Sequence, residues 1–311
     1  MLKKNLIFQS EKARTRVIKK YSQEAKESIT ATCDLLGVNR QVYYRAIHSY
    51  KEKQKLSKKV IDLVNTIRIS MPRIGTRKLF YLLKSELKAI GVGRDKLFKI
   101  LKANNLLILP RKKYHITTNS HHRFRKHVNQ LKNIEFVRPE QVWVSDITYI
   151  GKRENPCYLA LITDAYSKKI MGYDVSNSLN VAGSLRALDM AISNRNYNKE
   201  PIIHHSDRGL QYCSNEYQKM LSINNIKPSM TEKYDPYENA IAERINGILK
   251  QEFAIDKYDV SIQIKKKLIK NAINIYNQIR PHLSNSMLTP NQMHQQKKVK
   301  RKSYKKLKVA I

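Results

Sequence analysis

Beyond residue 140 the apolar positions come in short runs, each closed by a turn-forming cluster. Trp143-Val144-Ser145-Asp146-Ile147-Thr148-Tyr149-Ile150 is rich in β-branched and aromatic residues and predicts a strand over 142–150. Similar runs predict strands over 157–164 and 169–176, a helix over 180–196, and a strand over 201–206. A helix over 215–224 and a short strand near 227–230 follow. Ile241, Ile245, Ile248 and Leu249 then recur at three- and four-residue spacing, the stripe of an amphipathic helix. A basic helix over 262–279 should bury Leu268, Ile269, Ala272, Ile275 and Tyr276, and Arg280-Pro281-His282 ends it. Three strands followed by alternating helix and strand give an α/β fold, a mixed sheet flanked by helices.

Upstream the pattern is helical throughout. Residues 1–26 are polar and basic, and their pattern decides neither for a helix nor against one. Ser28 to Arg45 reads as helix, turn at Gly37, helix, with Ala31, Leu35 and Leu36 facing Val38 and Val42 across the turn. In a helix-turn-helix of this kind, Asn39, Arg40, Gln41, Tyr44 and Arg45 lie on the helix that can enter a DNA major groove. The same hairpin also serves elsewhere as a plain packing unit. The charged stretch 51–59 starts another helix, with Val60, Leu63, Val64 and Ile67 at helical spacing up to Pro72. Leu79, Leu82 and Leu83, the turn Gly91-Val92-Gly93, and Leu97, Ile100 and Leu101 make a second helix-turn-helix-like unit. Its basic positions include Arg77 and Arg94. The domain reading is therefore 1–50, helix-turn-helix; 51–109, second helical domain; 110–135, basic linker; 136–296, α/β core with a C-terminal helix; and 297–311, basic tail.

Charge narrows the possible partners. The chain has 311 residues and a formal charge of +35, from 60 Lys and Arg against 25 Asp and Glu. Such an excess repels itself and calls for a polyanion, and DNA is the natural one. The cations of residues 111–127, and the eight in Lys297 to Lys308 with no acid among them, suit the phosphate backbone. No apolar run approaches the ~18 residues of a membrane span, and no basic-then-apolar leader follows Met1. The expectation is a cytoplasmic, nucleoid-associated protein with no membrane partner. Cys33, Cys157 and Cys213 lie far apart with no Cys-x-x-Cys spacing, so neither a zinc ribbon nor a disulfide framework is indicated.

Three carboxylates then stand out. Asp146 lies inside an apolar strand, where a bare charge is costly unless compensated. Asp207 follows Ile202-Ile203, where a strand gives way to a loop before Gly209. Glu243, Gly247 and Lys250 share one helix face, spaced i, i+4, i+7, and Gly247 leaves that face open. Taken singly, these are ordinary turn, cap and surface residues. Together they offer the oxygen ligands that hard divalent ions prefer, beside a cation suited to phosphate. Two such ions can clamp the attacking and leaving oxygens of a phosphoryl transfer. Asp164, before a turn, is a rival carboxylate whose position favours a structural role.

Trp143-x-x-Asp146-x-Thr148-Tyr149, His205-Ser206-Asp207-x-Gly209-x-Gln211-Tyr212-x-Ser214 and Asn239-Ala240-x-Ala242-Glu243 resemble the DDE transposases of bacterial insertion sequences, specifically the second-frame (OrfB-type) product of the IS-three family. The 35 residues between Asp207 and Glu243, and Lys250 seven residues after Glu243, are spacings typical of that family. Gly75-Thr76-Arg77, Tyr276-Asn277-x-x-Arg280-Pro281-His282 and Thr289-Pro290 match further signatures, so the likeness covers nearly the whole chain. Glu238 departs from it, since many relatives carry Asp there. The resemblance implies a ribonuclease-H-like mixed sheet flanked by helices, an integrase-type catalytic core, preceded by all-α helix-turn-helix modules. In that fold the first and fourth strands are neighbours, so Asp146 and Asp207 converge and Glu243 reaches them from its helix.

It further implies Asp146, Asp207 and Glu243 as catalytic residues holding two Mg²⁺ (or Mn²⁺) ions, and Lys250 on DNA. Asn39, Arg40, Gln41, Arg45, Arg77 and Arg94 are the other candidate DNA contacts. The implied partners are the element's terminal repeats and target DNA, a homo-oligomer assembled on DNA, and an upstream-frame (OrfA-type) protein. A ribonuclease-H-like nuclease and a DNA-binding regulator of transposition without catalysis are the alternatives. The first leaves the N-terminal helical units without a role, and the second leaves the carboxylates without one.

Overall fold

A computed structural model describes residues 11–109, 127–131, 134–151, 157–232 and 239–296. Residues 110–126 and 132–133 of the expected linker, the tail 297–311, and Glu238 lie outside the described residues. The chain divides into two compact units, Met1–Asn65 with Ser85–Asn105, and Thr66–Lys84 with Leu106–Ile311.

In the first unit, α1 (Glu11–Glu24), α2 (Ile29–Leu35) and the start of α3 (Arg40–Ser70) enclose a small core of Ile18, Cys33 and Tyr43. Ile29, Leu36, Val38 and Ile47 pack around it. Ser28 starts α2 by accepting a hydrogen bond from the Ala31 amide at 3.1 Å. Gly37 takes φ 64° in the turn before α3, as the sequence predicts. Two expectations need correction. Ala31 and Leu35 face solvent, because α2 packs along Ile29, Thr32, Cys33 and Leu36 instead. Residues 40–70 form one helix of 31 residues rather than two. No Gly or Pro interrupts them, so the polar run 51–59 simply continues the helix. In the same unit, α5 (Lys84–Ala89) and α6 (Arg94–Ala103) bury Leu87, Leu97 and Leu101.

In the second unit, α4 (Thr76–Leu82) precedes a five-stranded sheet. Its strands are β1 (Val142–Ile150), β2 (Cys157–Asp164), β3 (Ile170–Ser176), β4 (Ile202–Ser206) and β5 (Ile226–Met230), in the order β3-β2-β1-β4-β5. β1–β2 and β2–β3 pair antiparallel, and β1–β4 and β4–β5 pair parallel. This is the ribonuclease-H-like sheet that the sequence implies, and every predicted strand falls within two residues of its place. Side chains alternate between the two faces of β1. Trp143 points into a core with Ile162, Met171, Ile202, α7 (Val181–Ser193), α8 (Leu210–Cys213) and α9 (Asn215–Ile223). Val142 and Val144 point the other way, toward Ala242 of α10 (Ala240–Glu252). Asp146 shares that second face. Gly172 of β3 lies hard against α7, where an added Cβ would stand 2.0 Å from the Ala187 carbonyl oxygen.

Two buried ionic groups fasten the C-terminal segment, one to the sheet and one to α10 and α4. Glu140 accepts from the Asn196 amide (2.8 Å), the Tyr197 amide (3.1 Å) and Arg195 Nε (3.4 Å), and His294 Nε2 lies 3.2 Å away. His294 closes the short helix α12 (Pro290–His294). Its other ring nitrogen contacts Ser167 Oγ (3.0 Å) and stands 3.8 Å from Asp164. Asp164 also accepts from the Glu140 and Ser167 amides, so it is a structural residue, as its turn position predicts. Glu252, at the end of α10, takes a two-pronged ion pair from Arg280 (both contacts 2.8 Å) and a third contact from Lys78 (2.7 Å). Arg280 follows α11 (Ile262–Gln278), whose packed side is Lys265, Ile269, Ala272, Ile273 and Tyr276. Of the expected stripe Ile269, Ala272 and Tyr276 are buried and Ile275 half-buried, while Leu268 faces solvent and Lys265 and Ile273 pack instead. Among the described residues, no helix is long and apolar enough to cross a membrane.

Candidate active site

The site is built by three elements meeting at the middle of the sheet, where β1 and β4 are neighbours. β1 and β4 run parallel with Val144 opposite His205, and the same register carried two residues on brings Asp146 level with Asp207. Asp207 stands just past β4, where its Oδ1 accepts from the Gly209 amide at 3.1 Å. A Cβ on residue 209 would stand 3.1 Å from that same oxygen, a tight contact that the Asp207 side chain would have to relieve. Gln211 anchors the turn through Leu179 O (2.6 Å), and Ser214 caps α9 through the Tyr217 amide (3.3 Å). Below it, His204 Nε2 lies between Ser145 Oγ (2.6 Å) and Tyr217 OH (2.9 Å). Burial, and then neighbouring His205, push His204 down to about 3, so the ring is neutral and structural.

α10 closes the site from the other side. Its N-cap Asn239 and its residues 242 and 246 face β1, with spacings of three and four. Asn239 Nδ2 donates to Ser145 O (3.0 Å), Ala242 packs on Val142 and Val144, and Asn246 Nδ2 donates to Asp146 Oδ2 (2.7 Å). Glu243 lies in the first turn of α10 and is exposed, and a Cβ at Gly247 would meet nothing within 4 Å, so the surface between Glu243 and Lys250 is open.

The electrostatics join these residues into one site. Burial raises the Asp146 carboxyl, the charge on Asp207 raises it further, the Asn246 hydrogen bond opposes, and Glu243 adds to the rise; the result is about 7. Burial also raises Glu243. Half-buried Lys250 is lowered by burial, against the pull of Asp146 and Asp256. The carboxylates therefore feel one another and Lys250, although among the described residues no three His, Cys, Asp or Glu side chains stand close enough to hold a single ion.

The other candidate residues lie elsewhere in the chain. Asn39 caps α3 by accepting from the Gln41 amide (2.8 Å). Arg40 reaches Thr30 Oγ1 (3.4 Å), and Arg45 Nε donates to Gln41 O (3.4 Å). All four are exposed, along with Tyr44 and His48, on the outer face of α3. Arg77 is exposed at the start of α4, and Arg94 is exposed but engaged with Asp95 at 3.0 Å. Sequence reasoning assigned no role to Asn239 or Asn246. The signal available was polar residues recurring at core spacing on a helix.

Integrase core domain families match residues 137–236 and 224–290, and a homeodomain-like domain matches residues 8–57. The 31 kDa protein of insertion element IS600 from Shigella sonnei is 32% identical over 269 residues, spanning 83% of this chain and 95% of the relative. Transposase InsF of insertion sequence IS3fB from Escherichia coli is 35% identical over 161 residues, 51% of this chain and 55% of that protein. The chain belongs to the IS-three family of insertion-sequence transposases. The integrase-core matches of this transposase run from β1 to the start of α12, and its homeodomain-like match covers α1, α2 and the first half of α3. Among solved structures, the HTLV-2 integrase catalytic core domain in complex with magnesium superposes with a TM-score of 0.42 at 21% identity, over 51% of this chain and 99% of that one.

Proposed function

We propose that this transposase cuts DNA at the ends of its insertion element and joins the freed ends to target DNA, with Asp146, Asp207 and Glu243 as its catalytic carboxylates. The observation that supports this most is the state of Asp146, driven up to about 7 by burial and by the charges of Asp207 and Glu243. Three like charges from β1, the end of β4 and α10 repel one another until a cation joins them. Carboxylate oxygens are the ligands of hard ions, so by their chemistry these three residues would hold two Mg²⁺ or Mn²⁺ ions once the ions draw the side chains together. Such ions, when bound, stabilise the negative charge that develops on the attacking and leaving oxygens.

The chain's own groups do the rest. Asn246 holds one Asp146 oxygen through its side-chain amide. The open surface at Gly247 admits the DNA backbone between Glu243 and Lys250. Lys250, lowered by burial, gains a counter-charge when a phosphate arrives. In the first step, water attacks the phosphodiester at the element's end, releasing a 3′-OH and leaving a 5′-phosphate. In the second, that 3′-OH attacks a target phosphodiester and displaces its 3′-oxygen. No serine or tyrosine nucleophile is needed.

Asn39, Arg40, Gln41 and Arg45 would read or grip the terminal repeats, with Arg77 and Arg94 on phosphates. The divisions 1–50, 51–109, 110–135, 136–296 and 297–311 complete the reading as two helical DNA-binding modules, linker, catalytic core and tail. The protein would work as a homo-oligomer on DNA in the cytoplasm, at the nucleoid, with an upstream-frame partner. A strand-transfer assay on labelled element ends tests the carboxylates. Asp146→Asn, Asp207→Asn and Glu243→Gln should each abolish joining while leaving DNA binding intact. Full joining by any of them removes that residue from the set.

A further inference from the structure

We propose that Asn239 and Asn246 form a two-point clasp that sets α10, and with it Glu243, against Asp146; they are positioning residues for the carboxylate site. This rests on the reading of Asp146, Asp207 and Glu243 given above. The two asparagines are seven residues apart, two helical turns on one face, and Glu243 lies between them. Each donates its amide to β1, and to consecutive residues of it: Asn239 Nδ2 to Ser145 O (3.0 Å) and Asn246 Nδ2 to Asp146 Oδ2 (2.7 Å). One bond would still let the helix pivot on that point. Two bonds, two turns apart, fix both the rotation and the axial register of the segment that carries Glu243.

The unmade bonds point the same way. Both asparagines are buried, 7% and 4% exposed, and among the described residues neither Oδ1 has a hydrogen-bond partner. Burying a carbonyl oxygen without a donor is unfavourable, and a helix seeking only stability would place an apolar residue there. Ala242, between them, shows that this face accepts apolar packing on Val142 and Val144. A polar clasp kept at such cost, with one donor on the backbone beside Asp146 and the other on its carboxylate, serves geometry rather than cohesion. Partners that orient metal-binding side chains typically change metal affinity or activity about 10- to 100-fold when removed.

The test uses the full chain with Asn239→Ala, Asn246→Ala and the double variant. Binding of Mn²⁺ is followed by the loss of the free-ion electron paramagnetic resonance signal, without DNA, and strand transfer is measured in parallel. Each single variant should weaken Mn²⁺ binding about 10-fold or more and slow joining to match, and raising Mn²⁺ should recover part of the rate. Wild-type Mn²⁺ affinity in the folded single variants overturns the clasp, as does slower joining that no Mn²⁺ concentration restores. Should an alanine variant fail to fold, Asn239→Ser and Asn246→Ser keep a donor at shorter reach. They should bind Mn²⁺ more weakly than wild type, and unchanged binding again overturns the proposal. Asp146→Asn and Glu243→Gln are run alongside. If those two also keep Mn²⁺ affinity and joining, the carboxylate reading fails; if they lose both while the asparagine variants keep both, only the clasp fails.

Discussion

Replacing Glu252 with Gln keeps the shape of the side chain and removes its charge. The side chains of Arg280, Glu252 and Lys78 are 2%, 14% and 11% exposed, so two cations share one carboxylate away from water. Burial raises that carboxyl, but Arg280 and Lys78 outweigh it and hold it below its ordinary value. Without the charge, Arg280 and Lys78 face each other with no negative group between them, and breaking a buried pair in this way costs about 3–5 kcal/mol. For a unit of this size each kcal/mol is worth about 2–4 °C, so the melting transition should fall by roughly 6–20 °C. Adding Lys78→Met to Glu252→Gln removes one stranded cation and should recover part of the loss. Circular dichroism melts of the wild type and both variants give the answer. A shift below about 2 °C for Glu252→Gln would show that the triplet does not hold α4, α10 and the end of α11 together.

Further outcomes follow from other parts of the chain. Gly172→Ala drives a methyl into the Ala187 carbonyl and should cost about 3 kcal/mol, measured by urea unfolding; a cost under about 0.5 kcal/mol would refute the β3–α7 packing. Stability should also depend on pH through His294, Glu140 and Asp164, with Arg195 and Lys169 alongside. Burial lowers His294, but Asp164 and Glu140 more than offset it, so its contribution is complete below its ordinary 6.5 and fades as pH rises through the raised value. Burial raises both carboxyls, but their partners hold them below their ordinary 4.5 and 3.8, so their contributions fade only as pH falls through the depressed values. The contribution of this cluster to stability should therefore be greatest between about pH 4.5 and 6.5, and His294→Gln, melted beside the wild type across that range, should remove its decline on the alkaline side. Arg40→Ala with Arg45→Ala should weaken binding to the element's ends and lower the salt slope of the binding constant by roughly 1–2, read by fluorescence anisotropy. An unchanged slope would take this helix off the DNA.

The strands of the core were legible because apolar and β-branched runs report burial directly, and Gly37 marked its turn through backbone chemistry alone. Local pattern was weaker where polarity misled. The run 51–59 looked like a new start because it lacks apolar residues, yet nothing in it breaks a helix. The outward turn of Leu35 depended on Ile18 from α1, a helix whose own sequence is too polar to announce itself. Asp146 and Asp207 were visible as misfits, charges at strand positions. Asn246 was not, because its meaning lies in a contact with a residue 100 positions away. Likewise Arg280 could be quoted as a signature, but only the fold brings it to Glu252.

The claim that the carboxylates act by holding divalent ions is tested most directly by changing the ligand and the metal together. Asp146→Cys and Asp207→Cys put a soft thiolate where a hard oxygen stood, which disfavours Mg²⁺ far more than Mn²⁺. Strand transfer by each variant should vanish in Mg²⁺ and return in part in Mn²⁺, while wild-type protein joins ends with either ion. Equal loss in both ions, or joining that ignores the metal, would contradict the account.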